Sequence, residues 1–213
     1  MITARDISLT LGGREILRSA SLEMEPGDKV VIHGESGSGK TSLLRLLVGI
    51  HRPDTGVVEY DGLPLDARNA ARIRSRLFYM PQEVRSIGDE TVAEFVGMFF
   101  DIRSTRRQRP DKRRVSQELE RFGLEPGAID ARMSSLSGGE RQRVGLARGM
   151  LLGRDVMLLD EVTSAVDGQN RDLIVRRLLG LEGVTVVAVT HDAAFVEAAG
   201  RRLEVSAGRL LEA

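Results

Sequence analysis

The sequence predicts an α/β fold, and three observations carry that reading. Short apolar runs rich in valine end on polar or acidic residues: KVVIH (29–33), VMLLDE (156–161) and VTVVAVTHD (184–192). Helical patterns alternate with them, TSLLRLLVGI (41–50) and GQNRDLIVRRLLGL (168–181). From about Thr91 to Arg132 the spacing changes: Glu, Arg and hydrophobic residues recur every three or four positions. Strands alternating with helices imply a parallel core, and the helical stretch implies an insertion near residues 85–145. All 213 residues are expected to form one domain.

The elements follow in order. Residues 1 to about 33 look β-rich: DISLTL, REILRSASLEM and DKVVIH, with turns signalled at Gly12-Gly13 and Pro26-Gly27. GESGSGKT (34–41) and its helix come next. PDTGVVEYDG returns to strand and turn, and NAARIRSRLFYMPQ (69–82) ends in a short strand. In VAEFVGMFF (92–100) helical periodicity puts Val92, Phe95, Val96 and Phe99 on one face and leaves Met98 and Phe100 partly off it. LSGGERQRVGLARGMLLG (136–153) predicts a turn and then a helix, and VSAGRLLEA a terminal hairpin.

Composition excludes several function classes. Lys plus Arg equal Asp plus Glu at 31 each, so no global charge attracts nucleic acid. The chain has no cysteine, which rules out disulfides, thiolate metal sites and cysteine nucleophiles. MITARDISLTLGG lacks the apolar core of a signal peptide, and no run approaches 18 apolar residues, so no membrane span is expected.

GESGSGKT fits G-x-x-x-x-G-K-[ST], a phosphate-binding loop. Its glycines let the backbone curl and turn N–H groups inward, and the following helix aims its N-terminus at the anion. The candidate nucleotide-binding residues are Gly34, Glu35, Ser36, Gly37, Ser38, Gly39, Lys40, Thr41 and Ser42. Lys40 can reach the β- and γ-phosphates, and Thr41 can offer its hydroxyl to Mg²⁺. Asp160 ends a strand buried on both faces, beside the loop, where a carboxylate can support Mg²⁺. Glu161, one residue on, can polarise an attacking water. His191 ends a later core strand, where a sensor of the γ-phosphate would stand. Gln82 is a third polar group at a strand end. Ser137, Gly138 and Gly139 precede a helix and form a second anion-binding N-terminus. One ATP cannot easily use both sites of one chain, but two chains paired head to tail can share them.

These pieces together resemble the ATP-binding subunits of ABC transporters: GESGSGKT, Gln82, LSGGE (136–140), VMLLDE, SAVD (164–167) and His191, in the family's order along essentially the whole chain. The resemblance implies a P-loop NTPase of the ABC type, a mixed sheet core with an antiparallel β subdomain and a helical insertion. It implies an ATPase with ATP and Mg²⁺. Lys40 and the backbone at Gly37 and Gly39 would bind phosphates. Thr41 and Gln82 would hold Mg²⁺, with Asp160 behind them. Glu161 resembles the general base and His191 the γ-phosphate switch. The signature residues Leu136, Ser137, Gly138, Gly139 and Glu140 would act on a partner's ATP. Ser164, Ala165, Val166 and Asp167 would form the loop at the dimer interface. Three positions depart from the pattern. Glu140 stands where glutamine is usual, and Val162 where proline follows the catalytic glutamate. Leu11 replaces the aromatic that stacks on adenine, at a loss of about 0.5–1.5 kcal/mol.

The resemblance also implies partners: a second copy of this chain, and a transmembrane permease that would place the protein at the cytoplasmic face of the cell membrane. Met98, Phe100 and the segment after Gln82 are the candidate groove for that permease. Nucleic acid is not expected, since no aromatic interleaves the seven basic residues between Arg103 and Arg114; that stretch reads as a solvated loop of the helical insertion, with contact to anionic lipid headgroups as the alternative. The sequence extends about 22 residues past His191, so no added regulatory domain is expected. RSRLFYMPQEVRSIGDETVAEF, LERFGL and DEVTSAVDGQNR resemble the small bacterial iron-export type. An iron–sulfur assembly ATPase and a division-type regulatory ATPase share every motif and remain alternatives.

Overall fold

The computed structural model describes residues 1–101 and 109–212. Two sheets organise them. A four-stranded antiparallel sheet has the order β2 (Arg14–Met24), β1 (Ile2–Leu11), β4 (Thr55–Tyr60), β5 (Leu63–Pro64). A six-stranded sheet has the order β10 (Arg209–Glu212), β9 (Arg201–Ser206), β3 (Lys29–His33), β8 (Thr185–Val189), β7 (Val156–Asp160), β6 (Leu77–Met80). All its neighbours are parallel except the β9–β10 hairpin.

The unbroken apolar runs are explained by burial on both faces. Val156, Leu158, Val187 and Val189 face one core with the antiparallel sheet and α1 (Lys40–Leu47). Met157, Leu159, Val186 and Ala188 face the other. That second core is continuous with the inserted helices α3 (Val92–Met98) and α4 (Lys112–Arg121), with α5 (Gly138–Leu152) and with α6 (Gly168–Leu179). Two short helices, α2 (Ala70–Arg74) and α7 (Ala193–Ala198), complete the described set. The helical insertion has no separate interior: Phe95 and Leu119 share a core with Leu159 of the sheet.

α5 comes unusually close to the sheet. A Cβ at Gly149 would lie 2.5 Å from the Phe78 ring. Beside it Arg148, only 6% exposed, stacks its guanidinium on Phe99 at 3.9 Å, Phe95 at 4.7 Å and Phe78 at 5.7 Å. Burial lowers its pKa to about 10, and its Nε donates to no partner.

One expectation is corrected. Phe100, read as partly off the buried face of its helix, is fully buried. α3 stops at Met98, and the Phe100 N–H closes a tight turn onto the Gly97 carbonyl (2.8 Å), which swings the ring into the core. Phe99 is only partly buried, with its ring edge-on to Phe95. Of the two proposed groove residues only Met98 stays exposed. In the basic stretch, Arg103, Arg106 and Arg107 lie outside the described residues. Arg109 pairs with Asp101, and Lys112 with Asp130 at 2.7 Å.

Candidate active site

The carboxyl ends of β3, β7 and β8 converge, as parallel sheets arrange their ligand sites. The loop from Gly34 to Gly39 leaves β3 and turns into α1 through three left-handed glycines: Gly34 (φ 138°), Gly37 (78°) and Gly39 (109°). Gly34 is also sterically required, because a Cβ there would lie 2.4 Å from the Val205 carbonyl oxygen. Lys40 is buried at the foot of the loop and donates through Nζ to the carbonyls of Gly34 (2.9 Å) and Glu35 (2.7 Å). Ser38 carries a buried Oγ with no partner.

One cavity of about 250 Å³ is lined by Ser36, Gly37, Gly39, Lys40, Thr41, Ser42, Gln82, Glu161 and His191, with Ile16 and Val189. A second, of about 300 Å³, continues past Glu35, Ser36 and Ser38 to Arg14, Glu15, Ile16, Ala207 and Gly208. Thus the loop, Gln82, Glu161 and His191 meet although they are far apart in sequence. Thr41 donates its hydroxyl to Asp160 at 2.9 Å, tying α1 to the end of β7. Burial raises the pKa of Asp160, against the Thr41 bond and the nearby cations Arg45 and Lys40. Thr41 and Gln82 line the cavity, and Asp160 stands behind Thr41; these hard oxygen donors suit Mg²⁺.

Glu161 is held in the left-handed region (φ 51°), a strained position for a residue with a side chain. Its N–H bonds the Val189 carbonyl at 2.8 Å, which locks it to β8. Its carboxylate lies 3.4 Å from His191 Nε2, and burial raises its pKa, opposed by the charges of His191 and Lys40. A carboxylate that binds protons more readily, at the mouth of a phosphate loop, is placed to accept a proton from water. Val162, in place of proline, packs into the core.

The start of α5 lines neither cavity. Ser137 and Glu140 close a capping box: the Ser137 hydroxyl oxygen accepts from the Glu140 N–H (3.3 Å) and Glu140 Oε2 accepts from the Ser137 N–H (2.8 Å), while the Ser137 hydroxyl also donates to Oε2 (2.7 Å). These bonds lower the Glu140 pKa. Ser137 and Gly138 face solvent, Leu136 packs on the core, and Gly139 abuts the Ala165 carbonyl. Ser164 and Ala165 are exposed and Val166 is buried. Asp167 caps α6, accepting from the N–H of Asn170 (3.2 Å) and its side-chain amide (2.8 Å).

Leu11 lines neither cavity and stands 36% exposed at the end of β1. Ile16 lines both. Ile16 was not legible in the sequence, because strand alternation in REIL does not separate a wall residue from a core residue.

The family described as "ABC transporter" matches residues 17–164. The glutamine transport ATP-binding protein GlnQ of Bacillus subtilis (strain 168) is 34% identical over all of this chain and 89% of its own length. The Fe(3+) ions import ATP-binding protein FbpC 3 of Rhodococcus jostii (strain RHA1) is 35% identical, and the match spans 97% of this chain but 60% of that protein. Among solved structures, a dimeric post-hydrolysis state of the ATP-binding cassette MJ0796 bound to ADP and Pi superposes with a TM-score of 0.86 at 27% identity, covering 100% of this chain and 98% of that one. A bacterial Atm1-family ABC exporter with ATP bound also reaches 0.86, at 25% identity, over 99% of this chain and 38% of that one. No helix among the described residues is long and apolar enough to cross a membrane. The chain belongs to the ABC transporter family, as an ATP-binding domain with ATPase chemistry.

Proposed function

We propose that two copies of this chain pair head to tail around ATP and drive a separate permease. One observation carries the pairing: the loop, Glu161 and His191 share a cavity, while the Ser137 end of α5 lies outside it. A second copy can supply that helix start to the bound nucleotide. Within one site, Lys40 and the loop N–H groups hold the phosphates. Glu161 takes the proton of the attacking water, and His191 orients its carboxylate from 3.4 Å. Thr41, Gln82 and Asp160 would hold Mg²⁺, which neutralises phosphate charge when bound. Ser164 to Asp167 would lie along the seam between copies.

Permease docking is supported by three large exposed hydrophobic residues: Ile87 (74%), Ile50 (56%) and Met98 (36%). Ile87 is presented by a built turn, in which the buried Glu90 accepts from the N–H groups of Ile87 (2.8 Å) and Gly88 (2.7 Å). An apolar cytoplasmic helix of a permease would cover the exposed Ile87 of that turn and hold the chain at the membrane's inner face. Metal cargo is the outermost part of the reading. The iron relatives are named importers, so the resemblance to iron-export subunits alone favours export.

Light scattering of the Glu161→Gln protein with Mg-ATP tests the pairing. A doubled mass is expected, and a monomer with ATP bound would refute it. Deleting the gene with its permease and measuring cellular iron after an iron load tests the cargo. Unchanged iron content and metal sensitivity would remove the iron assignment.

A further inference from the structure

We propose that Gln142 is a positioning residue for ATP hydrolysis: it fastens the backbone of the catalytic glutamate, the Gln82 segment and the interface loop to the helix that begins at Ser137. The proposal rests on Glu161 being the general base.

Gln142 lies on the first turns of α5 and is 3% exposed. Its amide group is used on both sides. Nε2 donates to the Gln82 carbonyl at 3.1 Å and reaches the Glu161 carbonyl at 3.4 Å, while Oε1 accepts from the Ala165 N–H at 3.4 Å. Two carbonyls on one side and an N–H on the other fix the amide's orientation, since only its NH₂ can serve two acceptors. Two of the contacts are long, so each is weak. The Gln142 end of all three is buried, so losing them leaves its amide without a partner there.

Glu161 needs such support. Its left-handed backbone is kept only where its surroundings over-determine it. Its carbonyl also accepts from the Ser164 hydroxyl (2.8 Å) and the Ser164 N–H (3.2 Å), but both belong to the same loop. Gln142 reaches this carbonyl from another element. A shift of α5 therefore acts on three segments at once, and one of them sets the direction of the catalytic carboxylate. Nothing in RQRV separates this glutamine from an ordinary helical one.

The test is a cycle on the full chain: Gln142→Met, which keeps the length and removes the polar atoms, Glu161→Gln, and the double variant. Phosphate release, Mg-ATP affinity and thermal midpoint are read for each. Misplacing a catalytic group predicts that Gln142→Met lowers turnover about 100-fold. Affinity should stay within about threefold, because the residue touches no phosphate-binding group and meets Gln82 through its backbone carbonyl rather than its side-chain amide. The double variant should be no slower than Glu161→Gln, because both act through one carboxylate. Gln142→Met at more than about half the wild-type rate would overturn the proposal. So would equal losses of affinity and turnover, or an undiminished further loss on top of Glu161→Gln, which a purely structural role would give. If Glu161→Gln itself keeps turnover, the general-base reading fails instead. Should Gln142→Met not fold, Gln142→Asn, which retracts the amide by one methylene, is read by the same criteria.

Discussion

Replacing Glu161 by glutamine tests the site most directly, because it has opposite consequences for rate and stability. The change is nearly isosteric and leaves the left-handed backbone, the Val189 bond and the Lys40 cradle in place. A general base contributes about 10²–10⁴ in rate, so turnover should fall by that factor, about 3–5.5 kcal/mol of barrier. Nucleotide affinity should hold, because Glu161 faces the water rather than the phosphates. Stability should rise. Burial raises the folded pKa of Glu161, with Asp160 adding repulsion, so the protonated form fits the fold better than the ionised form. Such a group stabilises the protein below its unfolded pKa, and that contribution is lost as pH rises through the folded pKa. Glutamine keeps the neutral form at every pH. Glu161→Gln should therefore gain about 0.5–2 kcal/mol at pH 7.5, and about 1–8 °C in Tm for a chain of this size. The gain should vanish near pH 4, where both proteins are neutral at this position. Calorimetric melts at the two pH values, with phosphate release and ATP titration, measure all three effects. Retained turnover would refute the general-base assignment, and a Tm gain equally large at pH 4 would refute the electrostatic argument.

Wild-type turnover should fall as pH drops through the folded pKa of Glu161, which places the acid limb of the pH–rate profile above the usual carboxylate range; a limb at or below that range would contradict the burial argument. Lys40→Ala should lose most ATP affinity by isothermal titration, since it removes the buried cation of the loop, whereas Glu161→Gln should not. Gly149→Ala should destabilise the fold by about 1–2 kcal/mol in a denaturant titration, because overpacking against Phe78 at 2.5 Å outweighs the roughly 1 kcal/mol of helix propensity that alanine adds. Tyr60→Phe should cost about 1 kcal/mol by the same measurement, since it strands the Leu47 carbonyl that the buried hydroxyl bonds at 2.7 Å.

What was legible in the sequence was whatever a short segment determines by itself. GESGSGKT needs only its own glycines and its neighbours to be recognised, and VMLLD needs only its unbroken hydrophobicity to be read as buried on both faces. Thr41 and Asp160 stand 119 residues apart, yet Asp160 ends one strand and Thr41 follows the loop that leaves another, and parallel strands bring such ends together. The misses concern chain direction and long-range contact. Phe100 was misplaced because periodicity does not show where a helix stops, and the turn after Met98 redirects the ring. Ile16 and Gln142 act through neighbours that only the folded sheet supplies. Arg148 reads as one more arginine on an amphipathic helix until Phe78, Phe95 and Phe99 close around it.

That aromatic enclosure is a joint between the sheet and the helices inserted after β6. Phe78 belongs to the sheet, Phe95 to α3 and Phe99 to the cap that ends it, and Arg148 lies between them on α5. Hydrogen bonds resist rotation because they are directional, whereas a flat cation on the faces of several rings keeps most of its attraction as it slides. The joint therefore resists separation more than sliding, since pulling it apart would expose a charge and three rings.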